Sequence, residues 1–413
     1  MSLNTFSEGI QDKFLASSTC STPMPQFIHR ELRLLNPRFS SPLLDVLTDL
    51  EHLRRLEIKA TTPPSVFQQL KQVFHFLESL ASARIEGNHT TLADYIETKV
   101  AAPSADAPAD SIKEVVNIER AMEQVEQAVT PGAPIGNHLI RGLHATAVHA
   151  LVREGDATPG AYRTGPLRIA KSDHAPPDAI QVPGYMEELV GFVNREDQKK
   201  YDLMKVALAH HRFAWIHPFG NGNGRVVRLF TYALLIKYGF RVSAEDGRLL
   251  NPAAVFCADR EKYYDMLAKA DAGSDEDLEA WCTYVLTGIR DELSKVDRLA
   301  DYDNLTSEIL VPALTHARQR QLVTPQEERI LLAAIKGKVV KSGDLTDAMP
   351  GLTGAQRTYQ IRRLVGNGML QPIYSDARQY TIGFSSNMLL RGVVRALTDG
   401  GFISSALAAD GAS

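Results

Sequence analysis

The chain has 413 residues, 44% of them hydrophobic, with 45 Lys and Arg against 49 Asp and Glu and a formal net charge of −4. That length and apolar share suit two or three domains with buried cores and exclude a fibrous or wholly disordered chain. Three widely spaced cysteines, Cys20, Cys257 and Cys282, argue against a disulfide framework, no apolar run reaches membrane-spanning length, and the N-terminus lacks a basic flank followed by an apolar core. A cytoplasmic protein with no membrane partner is expected.

Residues 1 to about 25 are Ser/Thr-rich and read as a loose arm. Helical spacing of apolar residues then predicts helices over Phe27–Leu35, Pro42–Lys59 and Pro64–Glu86, the third opened by proline and closed by Gly87. Ser82 and Glu86 lie one turn apart on one face of it. On its own, Glu86 reads as a solvated helix end before a capping glycine. Asn88–Val100 continues the pattern, and the Pro/Ala/Asp-rich Ala101–Asp110 is a loop. Further helices are expected from an N-cap at Ser111 to Val129 and over Ile135–Arg153. Gly160–Ile169, with alternation at Pro166–Ile169 between breakers, predicts a short β-hairpin.

Tyr201–Ile216 has the apolar content of a buried helix, which Pro218 stops, and helical patterning resumes over Arg225–Tyr238. Between them runs His217-Pro-Phe-Gly-Asn-Gly-Asn-Gly-Arg225. Its glycines and asparagines tolerate left-handed backbone and can turn N–H groups into a concavity at a helix N-terminus, a ready phosphate site. Arg225 and Arg228 are three apart, so both can neutralise phosphate oxygens, and the His217 imidazole is placed to take a proton from an attacking hydroxyl. Helices over Asp259–Ala270, with Tyr263 and Tyr264, and Leu278–Leu293 follow. His89, His174, His210 and His211 show no ligand spacing and read as structural or surface residues.

Past Asp303 the charge changes sign: Leu314–Arg395 holds 12 Lys/Arg against 5 Asp/Glu. Helices are expected from Thr324-Pro325 to Lys336, from a cap at Ser342 to Met349, and over Thr353–Val365, followed by a hairpin over Met369–Phe384 around a Ser-Asp-Ala turn. That order resembles a winged helix-turn-helix domain with Thr353–Val365 as its recognition helix. It implies a DNA contact through residues 324–384 or, as the alternative, a protein-docking or homodimer module.

The loop at His217 resembles the motif of the Fic family, His-Pro-Phe-x-(Asp/Glu)-Gly-Asn-Gly-Arg-x-x-Arg, most of whose members move AMP from ATP onto a protein hydroxyl. The resemblance covers roughly residues 27 to 300. It implies a mainly α fold with a Fic-type helical core (residues 111–303), an N-terminal helical region (1–110), and the winged module and tail (304–413). It also implies His217 as general base, Asn223 with the Gly222 and Gly224 amides as the α/β-phosphate cradle, and Arg225 and Arg228 as β/γ-phosphate clamps. Tyr264 is implied at the adenine edge. Asn221 departs from the family's acidic metal-holding residue, so it is expected to be a weak Mg²⁺ ligand. Ser82-Ala-Arg-Ile-Glu86-Gly87 resembles the family's inhibitory motif, implying that Glu86 reaches Arg228. Thr164, Gly165, Pro166, Leu167 and Arg168 resemble its flap, which holds a target protein by main-chain pairing. Two alternatives stand beside self-inhibited AMP transfer: a nucleotide-sensing DNA-binding regulator, and an enzyme that removes AMP or transfers another phosphate-linked group.

Overall fold

In a computed structural model the described residues are 27–56, 60–100, 109–169, 172–240, 252–374, 378–403 and 407. The expectations for the N-terminal arm, most of the Ala101–Asp110 loop, the end of the Pro42–Lys59 helix and the Ser375-Asp-Ala377 turn lie outside them.

Two buried helices form the axis: α7 (Asp202–Ile216) and α8 (Asn223–Lys237). Both are apolar on nearly every side, the pattern of helices enclosed by others, and their polar members pair internally. His210 Nδ1 meets Thr231 Oγ1 at 2.7 Å and its Nε2 meets Tyr263 OH at 2.9 Å. Around the axis stand α1 (Pro42–Arg55), α2 (Pro64–Ile85), α3 (Leu92–Val100), α4 (Asp110–Ala128), α5 (Asn137–Ala147) and α6 (Val182–Asn194). After it come α9 (Pro252–Ala258), α10 (Arg260–Ala270) and α11 (Asp275–Val296), with Trp281 of α11 donating to the Ala207 carbonyl of α7 at 2.7 Å.

Helix α2 ends as its sequence suggests. Gly87 has φ +94°, Asn88 N–H donates to Ala83 O at 3.1 Å and Gly87 N–H to Arg84 O at 3.0 Å, the paired bonds of a Schellman cap. Glu86 is therefore held at a defined angle at the helix end.

Several expectations are corrected. Phe27–Leu35 is not a helix: Arg30 O accepts from Arg212 Nη1 at 2.7 Å and Phe27 packs on Trp215, so the segment follows the core surface. The helix expected from Ser111 begins at Asp110, after Ala109. Ser342–Met349 forms successive turns, because Asp344 folds back onto the Lys341 N–H and Gly343 starts another turn. No strand occurs among residues 160–169; Arg163 N–H bonds Pro218 O at 2.9 Å, tying this segment to the loop between α7 and α8.

The boundary expected at 303/304 falls inside a continuous helical run, α12 (Tyr302–Leu305), a π-wound turn (Thr306–Leu310) and α13 (Val311–Gln319). Beyond it lie α14 (Pro325–Gly337), β1 (Val340–Lys341), α15 (Gly354–Gly366), β2 (Leu370–Pro372), β3 (Gln379–Ile382) and α16 (Leu390–Asp399). The strands make one antiparallel sheet in the order β1-β3-β2, with Val340 opposite Tyr380 and Leu370 opposite Ile382.

This sheet is fastened to α2 by one side chain. Buried Gln69 donates to Ile382 O at 2.8 Å and accepts from Phe384 N–H at 2.7 Å. Gln69→Ala would leave both backbone groups without partners, so we expect a loss of about 2 to 4 kcal/mol in urea unfolding. An unchanged unfolding midpoint would show that water replaces both bonds.

Candidate active site

His217 caps the C-terminus of α7 in the left-handed conformation, φ 50° and ψ 62°, which non-glycine residues seldom adopt and which costs on the order of 1 kcal/mol or more. Nδ1 faces Ala214 O at 3.3 Å, so Nδ1 carries the proton and Nε2 presents a lone pair. Burial pushes the His217 pKa down to about 4, leaving a neutral base at neutral pH.

The loop that follows is closed by its own side chains. Asn223 Oδ1 accepts from Phe219 N–H and Asn223 Nδ2 donates to Phe219 O, both at 2.9 Å. The Asn223 side chain is thus committed to the loop, and the Gly222 N–H expected in the phosphate cradle is taken by Asn221 Oδ1 at 2.7 Å. Gly222, at φ +73°, has no room for a Cβ beside Val148, and α8 starts there without a side-chain cap. Its first-turn N–H groups carry the positive end of the helix dipole.

Opposite that helix end sits the α2 terminus. Arg228, 2% exposed, donates from Nε to Ser82 Oγ and from Nη2 to Ser82 O and Glu86 Oε1, each at 2.8 Å. Its buried Nη1 has no hydrogen-bond partner. The Glu86 carboxylate lies directly over Gly224, where any Cβ would collide with Oε1. Burial works against the charge on Glu86, but Arg228, Arg225 and His217 hold its pKa below the ordinary carboxylate value. Tyr264, 43% exposed, reaches back to Ile85 O at 3.4 Å and so stands at the rim.

Arg225 does not line the open face. It is fully buried, paired with Glu114 Oε1 at 3.0 Å and with Glu154 O at 2.8 Å, and so holds the loop from behind. Asn221 also departs from expectation. Its Oδ1 accepts from Gly222 N–H at 2.7 Å and its Nδ2 donates to Gly155 O at 3.2 Å, so its side chain is turned into the loop. The residues here do not fit a divalent cation at position 221, and among the described residues no three His, Cys, Asp or Glu gather as a metal site. Phosphate does fit: Arg228 keeps a buried nitrogen without a hydrogen-bond partner, and α8 starts without a side-chain cap.

Thr164 to Arg168 alternate between exposed and half-buried, as an extended chain does. The segment is anchored by buried Arg163, whose Nε donates to His217 O at 2.9 Å and whose Nη1 donates to Gly165 O at 3.1 Å. Arg163, His144, Glu114 and Asp156 are site residues that sequence reasoning missed. His144 stacks on Phe219 at 3.8 Å between ring centres and bonds Asn221 O at 3.1 Å. Each is a single polar residue in an ordinary pattern, and no spacing marks it.

Residues 135–235 match the sequence model of the Fic/DOC family. The "Protein adenylyltransferase Fic" of Nematostella vectensis is 27% identical over 261 residues, 62% of this chain and 54% of that protein. The protein of the same name from Drosophila virilis is 27% identical over 51% of this chain and 40% of its own length. The chain thus spans about half, or less, of the length of these relatives. A Fic family protein from Desulfovibrio desulfuricans G20 shares its fold, with TM-score 0.52 and 20% identity over 85% of this chain and 98% of that one. A Fic domain-containing signaling protein from Bacteroides thetaiotaomicron VPI-5482 shares it at TM-score 0.50 and 20% identity, over 63% and 98%.

Burial holds the folded pKa values of His144 and His217 at about 4, against roughly 6.5 for an unfolded histidine. The unfolded chain therefore binds more protons between those values, and stability must fall as pH drops through that window. His144 alone should remove roughly 2 kcal/mol by pH 5. Urea midpoints compared at pH 7.5 and pH 5 measure this, and a flat comparison would mean these rings titrate normally.

Proposed function

We propose that this Fic family chain is a self-inhibited protein adenylyltransferase that moves AMP from ATP to a Ser, Thr or Tyr hydroxyl of a target protein or of itself. The observation that carries the reading is the Glu86 carboxylate, bonded to Arg228 and lying across the N-terminal end of α8 beside a neutral His217. The relatives named as adenylyltransferases support the same reaction class.

With Glu86 withdrawn, a nucleotide phosphate can take its place on Arg228 and the α8 amides. The target hydroxyl gives its proton to His217 Nε2 as its oxygen bonds the α-phosphorus, and the bond from that phosphorus to the bridging oxygen of pyrophosphate breaks. Arg225, Asn223 and Arg163 hold the loop and His217 in place, so acceleration comes chiefly from positioning and fixed charge. Tyr264 is read as the adenine-side wall. The extended Thr164–Arg168 segment is read as the edge along which a target backbone aligns. While Glu86 holds Arg228, nucleotide can enter with its terminal phosphate displaced and its α-phosphorus misaligned.

The order α14, β1, α15, β2, β3 supports reading the C-terminal module as a winged helix. Its α15 has three arginines, no acidic residue and only Ile361 and Leu364 buried, which favours an anionic partner such as DNA.

The test is label transfer from ATP labelled on the α-phosphate. Glu86→Gly should raise protein labelling roughly 5- to 150-fold, the usual span of an allosteric coupling. Arg228→Ala should cancel most of that gain, because both residues act through one contact. Flat labelling in Glu86→Gly would reduce Glu86 to a helix end. His217→Ala should abolish transfer while ATP still binds; equal turnover would remove His217 from the chemistry.

A further inference from the structure

The loop residue at 221 is satisfied at every polar group. Besides its two side-chain bonds, Asn221 N–H donates to Asp156 Oδ2 at 3.0 Å and its carbonyl meets His144 Nε2 at 3.1 Å. His144 Nδ1 accepts from Gly160 N–H at 2.9 Å, so its proton lies on Nε2 and donates to Asn221 O. Asp156 is itself fixed by Thr158, whose N–H meets Oδ1 at 2.8 Å, and its side chain is only 5% exposed.

An aspartate at 221 would fit this lattice badly. One oxygen could keep the Gly222 bond, but the other would face the Gly155 carbonyl, acceptor against acceptor, with Asp156 close behind. An amide supplies the donor and the acceptor that the position requires.

We propose that Asp156 is a positioning residue that anchors the catalytic loop from behind, that Asn221 is a bridging amide, and that nucleotide phosphates are therefore neutralised by Arg228 and the α8 amides without a divalent cation held by the loop. The last part rests on the nucleotide reading above. The carboxylate that this loop uses is that of Asp156, which accepts from the Asn221 and Thr158 N–H groups and so fixes geometry.

Titration of ADP into Glu86→Gly protein, with Mg²⁺ and with EDTA, tests the phosphate part. Affinities within about threefold of each other are expected, whereas a loss of about tenfold or more in EDTA overturns it. Asn221→Asp should lower both the melting temperature and ADP affinity; a gain in either removes the bridging role. Hydrogen exchange reads the anchor without substrate: Asp156→Ala should speed exchange of the Asn221 amide by about tenfold or more, while Asp156→Asn, which keeps an acceptor, should restore most of the protection. Unchanged exchange in Asp156→Ala would overturn the anchoring role. Absence of ADP binding in every condition would sink the nucleotide reading and with it the cation-free cradle, while the exchange measurement would still decide Asp156.

Discussion

Arg228 is a buried guanidinium whose charge is met, among the described residues, by a single carboxylate, that of Glu86. It stands 2% exposed on α8, and Ser82 gives it two neutral acceptors but no charge. Leaving such a cation unpaired costs several kcal/mol. Two anions can meet the need, the Glu86 carboxylate that occupies the place or a phosphate that would take it. On the proposed reading, inhibition and nucleotide binding are two solutions to one electrostatic demand.

The rest of the core keeps this place fixed. The Schellman cap holds the end of α2, Asn223 clasps Phe219, and Arg163 ties the following segment to the His217 carbonyl. Behind the loop, buried Arg225 pairs with Glu114, and the neutral His144 ring donates to Asn221 O beside Asp156. Such buried charged and hydrogen-bonded groups favour one loop shape.

What could be read from sequence follows from this division. Glu86, Arg228 and His217 stand in a dense local pattern, and the spacing of Ser82 from Glu86 already puts both on one face. The helices with strong periodicity, such as Pro64–Ile85, are found within a residue or so of their expected ends. Failures occur where a partner far along the chain decides. Phe27–Leu35 gives up a helix because an arginine of α7 takes one of its carbonyls, and the 160–169 segment forgoes a hairpin because its N–H goes to Pro218. Arg225 shares the helix surface with Arg228 in sequence, yet Glu114 draws it inward. Asn221 looked like a weakened metal ligand; only the positions of Gly155 and Asp156 show an amide with both hands engaged.

Helix α2 carries Gln69 near one end, bonded to the C-terminal sheet, and Glu86 at the other, bonded to α8. Between them it climbs about 25 Å, and each residue added or removed would turn Glu86 by about 100° relative to Gln69. The helix is consequently a ruler with a phase. Its length can change only in steps that keep both ends facing their partners, so lengthening or shortening this segment should be far less tolerated than substitution along it.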